Sequence, residues 1–429
     1  MPSPPSSPQT SVQSNTQPSS SGTITSRRSF LAALGTVSSV SLAGCSGLHR
    51  RYFPRSHTDD ADLSGDDGPW PTLGHDNRRT GATPASGPGR EAALELHAEA
   101  SHYPERQIVV GSDVVLVTVR RWREHEHSDL FSGIVAVGHN RGERWRLRTE
   151  PDMGVPTIVG NTVFVEDTEA TRAIDVETGD VNWTYRSGYG FPYVAPAVTG
   201  GQVFIGGRRF LALDAVTGER LWRTDEAMPA VQTCAATDES VIVSNGYNEN
   251  GGGLFCLDTA DGSVRWESSI PVVHSPVAVG DEACYAIDDS GSLRAVSLAD
   301  GEELWTRHAA GINGSYDYNQ AVLTDDAVLA SGRDDPLVAY DRKTGERVWS
   351  AGPVDEYYRT PVVASDGIYG VTREGTVFEV GFDGTERWRR RTDVMVSASP
   401  SLADGALYIG GRVGADSDEW HGGFFRFGN

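Results

Sequence analysis

Glu124, His125, Glu126 and His127 stand side by side in the stretch WREHEH. In an extended segment His125 and His127 share a face and could chelate an ion. Spacing supplies no third ligand, so the expectation is a solvated charged loop and no metal site. Cys234, Cys256 and Cys284 are the cysteines left once Cys45 is set apart, an odd number that cannot all pair. No Gly-x-Ser-x-Gly elbow and no Gly-x-x-x-x-Gly-Lys phosphate loop occurs. The scattered aspartates form no spaced multi-oxygen loop for Ca²⁺. What remains is recognition chemistry: SGYGFPYVAP (Tyr189, Phe191, Tyr193), GINGSYDYNQ (Tyr316, Tyr318) and DEYYRTP (Tyr357, Tyr358, Arg359). Tyrosine with arginine is the composition of binding hot spots.

The elements that must position these residues repeat. AIDVETGDVNW, ALDAVTGERLW and AYDRKTGERVW share the pattern A-x-D-x-x-T-G-x-x-x-W and end at Trp183, Trp222 and Trp349. Related segments end at Trp145, Trp266, Trp305 and Trp388, so the seven tryptophans are spaced by 38, 39, 44, 39, 44 and 39 residues. A period near 40 filled with short β-branched runs and glycine turns is the length of one four-stranded propeller blade. In the repeat from Gly154, VPTIVG, TVFVED, TRAIDV and VNWTY read as four strands, with turns at Gly160-Asn161 and Thr178-Gly179.

Within that repeat the motif has mechanical duties. Gly179 supplies the positive φ of a tight reversal, Asp175 accepts from turn amides, and Trp183 offers a flat surface between neighbouring blades. First strands and third strands each number eight, whereas only seven fourth strands carry tryptophan. The last blade therefore lacks its outer strand, and EAALELHAE at 91–99 precedes the first blade without a partner. The expected fold is all-β: an eight-bladed propeller of four-stranded blades, closed by that N-terminal strand joining the last blade. Cys234 and Cys256 fall in the first and third strands of one blade, beyond disulfide reach, and read as buried thiols.

Residues 1–44 read as an address. The first 26 are rich in Ser, Pro, Thr and Gln, too polar to order themselves. Arg27-Arg28 before Ser29, Phe30 and Leu31 resembles a twin-arginine export signal, and Leu42-Ala43-Gly44-Cys45 resembles a lipobox whose cysteine receives a lipid. Residues 45–69 then form a flexible tether, and 70–429 the propeller. The expected location is outside the cytoplasm, anchored to the outer face of the cytoplasmic membrane through Cys45.

Setting aside 1–44 removes two arginines and no acids, which leaves 59 acidic against 35 basic residues, a net −24. Lys343 is the sole lysine. Acid in excess, with arginine for lysine, keeps a protein soluble in concentrated salt and implies a halophile. Phosphate-bearing nucleic acid is excluded as a partner by the same charge.

Over residues 70–429 the motifs resemble the pyrroloquinoline-quinone repeat family of propellers, and PWPTLGHDNRRTGATP at 69–84 resembles the lead-in of its non-enzymatic lipoprotein members. The quinoprotein dehydrogenases of that family use the quinone with Ca²⁺ and a disulfide between adjacent cysteines, and this chain has no Cys-Cys pair. The resemblance therefore implies a non-catalytic platform without a cofactor; it is expected to be monomeric and to bind a protein or extended ligand at the cell surface through the one mouth of the ring where the loops of Tyr189, Phe191, Tyr193, Tyr316, Tyr318, Tyr357, Tyr358 and Arg359 gather. The alternative it implies is a quinone- and Ca²⁺-dependent dehydrogenase of alcohols or sugars.

Overall fold

A computed structural model describes residues 63, 67–100, 104, 106–119, 132–149, 153–186, 195–207, 209–224, 231–245, 253–271, 273, 275–308, 320–332, 336–413 and 421–429. Its strands form eight antiparallel sheets, seven of four strands and one of five, and no α-helix occurs among the described residues. Each sheet is one blade of an eight-bladed propeller. Blade one, for example, runs from the axis outward as Val109–Val110, Val114–Val119, Gly133–Gly138 and Glu143–Arg148.

Burial explains why the strands read as apolar runs and not as alternating ones. Both faces of each blade pack against neighbours, so the second strand Val114–Val119 is buried at every residue. The outer strand Glu143–Arg148 reaches the circumference and buries fully only Trp145.

The tryptophan motif is an interlock between consecutive blades. The Trp183 indole donates to the Ala215 carbonyl of the next blade at 3.0 Å, and Trp145, Trp222, Trp266, Trp305 and Trp349 reach the equivalent carbonyls at 2.8–3.0 Å. In return, the glycine of the next blade's turn leaves room for the ring. Gly218 has φ +70°, and a Cβ there would lie 2.6 Å from the Trp183 ring. Asp214 fixes that turn by accepting from the Val216 and Thr217 amides at 3.0 and 2.9 Å.

The eighth blade closes the ring. Its third strand His421–Gly428 pairs on one side with Ala406–Val413 and on the other with the N-terminal strand Ala93–Ala100. Its inner strand is broken into Met395–Val396 and Ser401–Ala403, both paired to Ala406–Val413. This is the closure expected from the strand count.

Two glycine substitutions separate backbone strain from the interlock. Gly200 also has a positive φ, +58°, but nothing lies within 4 Å of a Cβ placed there. Gly200→Ala is expected to lower unfolding free energy by about 1–2 kcal/mol, the left-handed cost alone. Gly218→Ala is expected to lower it by about 1–3 kcal/mol more, because the Trp183 ring must move. Equal losses in denaturant titrations would remove the interlock.

Candidate functional site

Two mouths and a central channel offer themselves as sites. One face carries the inner-to-second and third-to-outer turns and is called the turn face. The other carries the second-to-third turns and the connections from each outer strand to the next inner strand, and is called the connection face.

The lead-in crosses the channel at the turn face and hydrogen-bonds the blades in succession. Trp70 pairs with Val110 through two bonds of 2.9 Å, and the Pro71 carbonyl accepts from Ile158 at 2.8 Å. The Asn77 side chain both accepts from Val198 and donates to its carbonyl, while its own carbonyl accepts from Ala236. The carbonyls of Arg78, Thr80 and Gly81 then take the amides of Val279, Leu323 and Val363. Gln107 completes the circuit, accepting from the Gly74 amide and donating to Pro400 at 2.8 Å each.

Arg79 sits at the centre of this arrangement and is fully buried. Its guanidinium reaches Thr72 Oγ1 at 2.7 Å and the carbonyls of Ala195, Leu73, Pro196, Cys234 and Asp76 at 2.9–3.4 Å. Burial pulls its pKa down, and the charge of nearby Asp76 opposes that. Burial alone would push the Asp76 carboxyl up, but the His75 ring and the donors of Thr80 reverse the direction. Nothing local in the sequence marks this role, since Arg79 reads there as one polar residue of a turn-rich stretch.

At the connection face, Tyr357 is half-buried beneath the Arg373 guanidinium, 5.5 Å from its ring centre, and its amide donates to Glu374 at 3.0 Å. Arg359 is half-buried and donates to the Val396 carbonyl at 2.9 Å. Tyr358 is instead buried, its ring edge-on to Phe378 and its hydroxyl donating to Pro353, so it has no free surface for a ligand. Burial pushes its hydroxyl pKa up and keeps it neutral. Tyr189, Phe191, Tyr193, Tyr316 and Tyr318 lie outside the described residues, as do Cys45 and the Glu124–His127 cluster. Glu356 joins the same mouth unanticipated, accepting from Thr372, Thr376 and Arg391 at 2.6, 3.2 and 3.0 Å.

Cys234, Cys256 and Cys284 are free and buried, and burial pushes the Cys284 thiol up to about 12, far from a nucleophile's range. Among the described residues no three His, Cys, Asp or Glu side chains gather to hold a metal ion. The most perturbed acid is Glu166, fully buried at the end of a second strand with Oε1 unpartnered, opposite the equally unpartnered Thr171 hydroxyl. Burial, with the charge of Asp167, pushes its carboxyl well above the ordinary value.

The family model described as outer membrane protein assembly factor BamB matches residues 131–351 and 289–415. The chain is similar to the assembly factor BamB of Yersinia pestis, 23% identical over 289 residues that cover 60% of this chain and 72% of that protein. Among solved structures, BamB from Moraxella catarrhalis superposes with a TM-score of 0.57 at 18% identity, covering 78% of this chain and all of that one. Quinohemoprotein alcohol dehydrogenase from Comamonas testosteroni gives 0.65 at 15% identity, covering 85% and 81%. At such identities the structural likeness speaks for the fold alone.

Two outcomes test the buried groups. Arg79→Met keeps the volume but removes the guanidinium's bonds to six oxygens, and should lower unfolding free energy by about 3–5 kcal/mol. Exposed Arg78, paired with Asp281 at 3.0 Å, should lose no more than about 1 kcal/mol as Arg78→Met. For Glu166 the folded state holds a proton that the unfolded chain releases above 4.5. Stability therefore falls as pH rises from that value through the raised folded pKa, by about 1.4 kcal/mol per pH unit. Glu166→Gln should flatten that slope in pH-dependent melting; an unchanged slope would assign it elsewhere.

Proposed function

The chain belongs to the family described as outer membrane protein assembly factor BamB, and on that premise we propose that it is a non-catalytic interaction platform exported from the cytoplasm. Lipid on Cys45 holds it to the membrane, and the connection face takes a protein or extended ligand. The observation that carries this reading is the channel itself. Its turn-face end is occupied by the chain's own lead-in, with Arg79 engaged by six oxygens. An enzyme of this architecture needs a cofactor pocket where the platform needs only a rigid ring and loops.

Among the described residues the donor set does not fit a quinone with Ca²⁺. The three described cysteines are separate and free, so no adjacent pair lies against a cofactor, and the described residues offer no acidic ligand set. Tyr357, Arg359 and Arg373 fit recognition instead: a half-buried aromatic held under one cation, beside a second cation, is a rigid anchor of low conformational cost. Val354, 65% exposed, extends the apolar surface of that mouth. Tyr189, Phe191, Tyr193, Tyr316 and Tyr318 belong to the same proposed surface.

The test has two arms. Purified protein mixed with pyrroloquinoline quinone and Ca²⁺ should elute without quinone absorbance and reduce no dye with alcohols or sugars; stoichiometric retention with turnover would reverse the reading. A photo-crosslinker at position 357 should yield an adduct that Arg359→Ala with Tyr316→Ala and Tyr318→Ala abolishes at unchanged melting temperature. An adduct that survives those changes would move the binding surface elsewhere.

A further inference from the structure

We propose that the turn face carries a second, separate site: a groove across blades five, six and seven that binds an extended basic peptide with an apolar side chain next to its arginine or lysine. The site lies on the face opposite the proposed mouth and does not depend on it.

The groove encloses about 820 Å³, within the range of about 300–1,000 Å³ common to binding clefts. Its inner end is the lead-in at Arg78 and Thr80, and it runs outward over the inner-to-second turns of the three blades. The floor is preformed. The Val279, Leu323 and Val363 amides are all tied to lead-in carbonyls at 2.8–3.0 Å, so little ordering remains for a ligand to impose.

At the outer end stands an apolar shelf. Phe382 is 48% exposed and Val348 60%, and the Trp349 indole is fixed by its bond to the Phe382 carbonyl at 2.9 Å. Exposed aromatic and aliphatic surface set in a cleft is where an anchoring side chain docks.

Charge decides what else the ligand carries. Both cations of the groove are already engaged: Arg78 pairs with Asp281 at 3.0 Å. Arg342 donates to the Thr324 and Asp325 carbonyls at 3.1 and 3.2 Å and lies 5.6 Å from the Tyr285 ring centre. Asp341 is turned into its own hairpin, accepting from Lys343 and Thr344. Asp325 and Asp326, by contrast, are exposed between hub and shelf, and among the described residues no hydrogen bond or ion pair engages their carboxylates. Two free negative charges beside an apolar shelf complement a cation adjacent to an apolar group, and they repel anionic ligands.

The experiment uses the full chain and three labelled hexapeptides, of alternating arginine and phenylalanine, glutamate and phenylalanine, or arginine and glycine. Anisotropy is read at the lowest salt that leaves melting unchanged. The arginine–phenylalanine peptide should bind, the glutamate peptide should not, and the arginine–glycine peptide should bind about tenfold more weakly. Asp325→Asn with Asp326→Asn should weaken the first peptide about tenfold, as should Phe382→Ser, with folding unaffected because all three side chains are exposed. Tyr357→Ala should leave binding intact, so failure of the mouth and failure of the groove are distinguishable. Equal binding by the aspartate variant, equal binding of the glutamate peptide, or no binding at all would overturn the proposal. So would self-association in sedimentation that the aspartate variant abolishes, since the groove would then serve a second copy of the chain.

Discussion

The free edge of every inner strand is the constraint on which the ring depends. A propeller pairs each inner strand on its outward side only, so amides and carbonyls along the axis need partners, and unpaired groups buried there cost free energy. The lead-in answers this with one continuous segment, which reaches the first seven blades from Trp70 to Gly81 and touches the eighth through Gln107. Arg79 holds that segment in shape by drawing carbonyls of Leu73 and Asp76 toward those of Ala195 and Cys234. An arginine suits this place because its fork of donors can satisfy many oxygens at once, with Asp76 supplying a compensating charge nearby.

Between blades a second constraint operates, and it weakens at the closure. Six indoles reach forward to a carbonyl, but the Trp388 nitrogen has no partner. The eighth blade has no third-to-outer turn to offer one, because its outer strand comes from the other end of the domain. Trp388 stacks on Phe427 instead, with ring centres 5.9 Å apart. A bulge between Leu96 and Ala98 of the closing strand leaves His97 buried against Tyr408 and Phe424 with neither ring nitrogen bonded. Burial, with the Arg141 and Arg426 charges, lowers its pKa.

The ring was legible because its information is local. Asp, Thr and Gly within one turn, and a tryptophan four residues on, specify a hairpin whatever lies around it. Strand spacing likewise placed Cys234 and Cys256 apart. The lead-in was not legible in this way, since its contacts join residues as distant as Arg79 and Gln320, 241 positions apart, and no short-range pattern encodes them. Tyr357 and Tyr358 show a subtler limit. Neighbours in an extended segment point to opposite sides, so composition identified the pair while only packing decides that Tyr358 belongs to the core and Tyr357 to the mouth.

An acidic chain of net −22 poses the question of which carboxylates are available for recognition. Most of the patterned ones are not. Asp175, Asp214 and Asp341 close their own turns, and buried Asp167 and Asp288 hold Arg172 and Arg294. An aspartate engaged by turn amides cannot leave them for a ligand without opening the hairpin on which the preceding tryptophan rests. Recognition can use carboxylates outside the tryptophan motif, and Asp325-Asp326 lie in such a place, in an inner-to-second turn. Their freedom follows from the same division of labour that fixes the rest of the turn face.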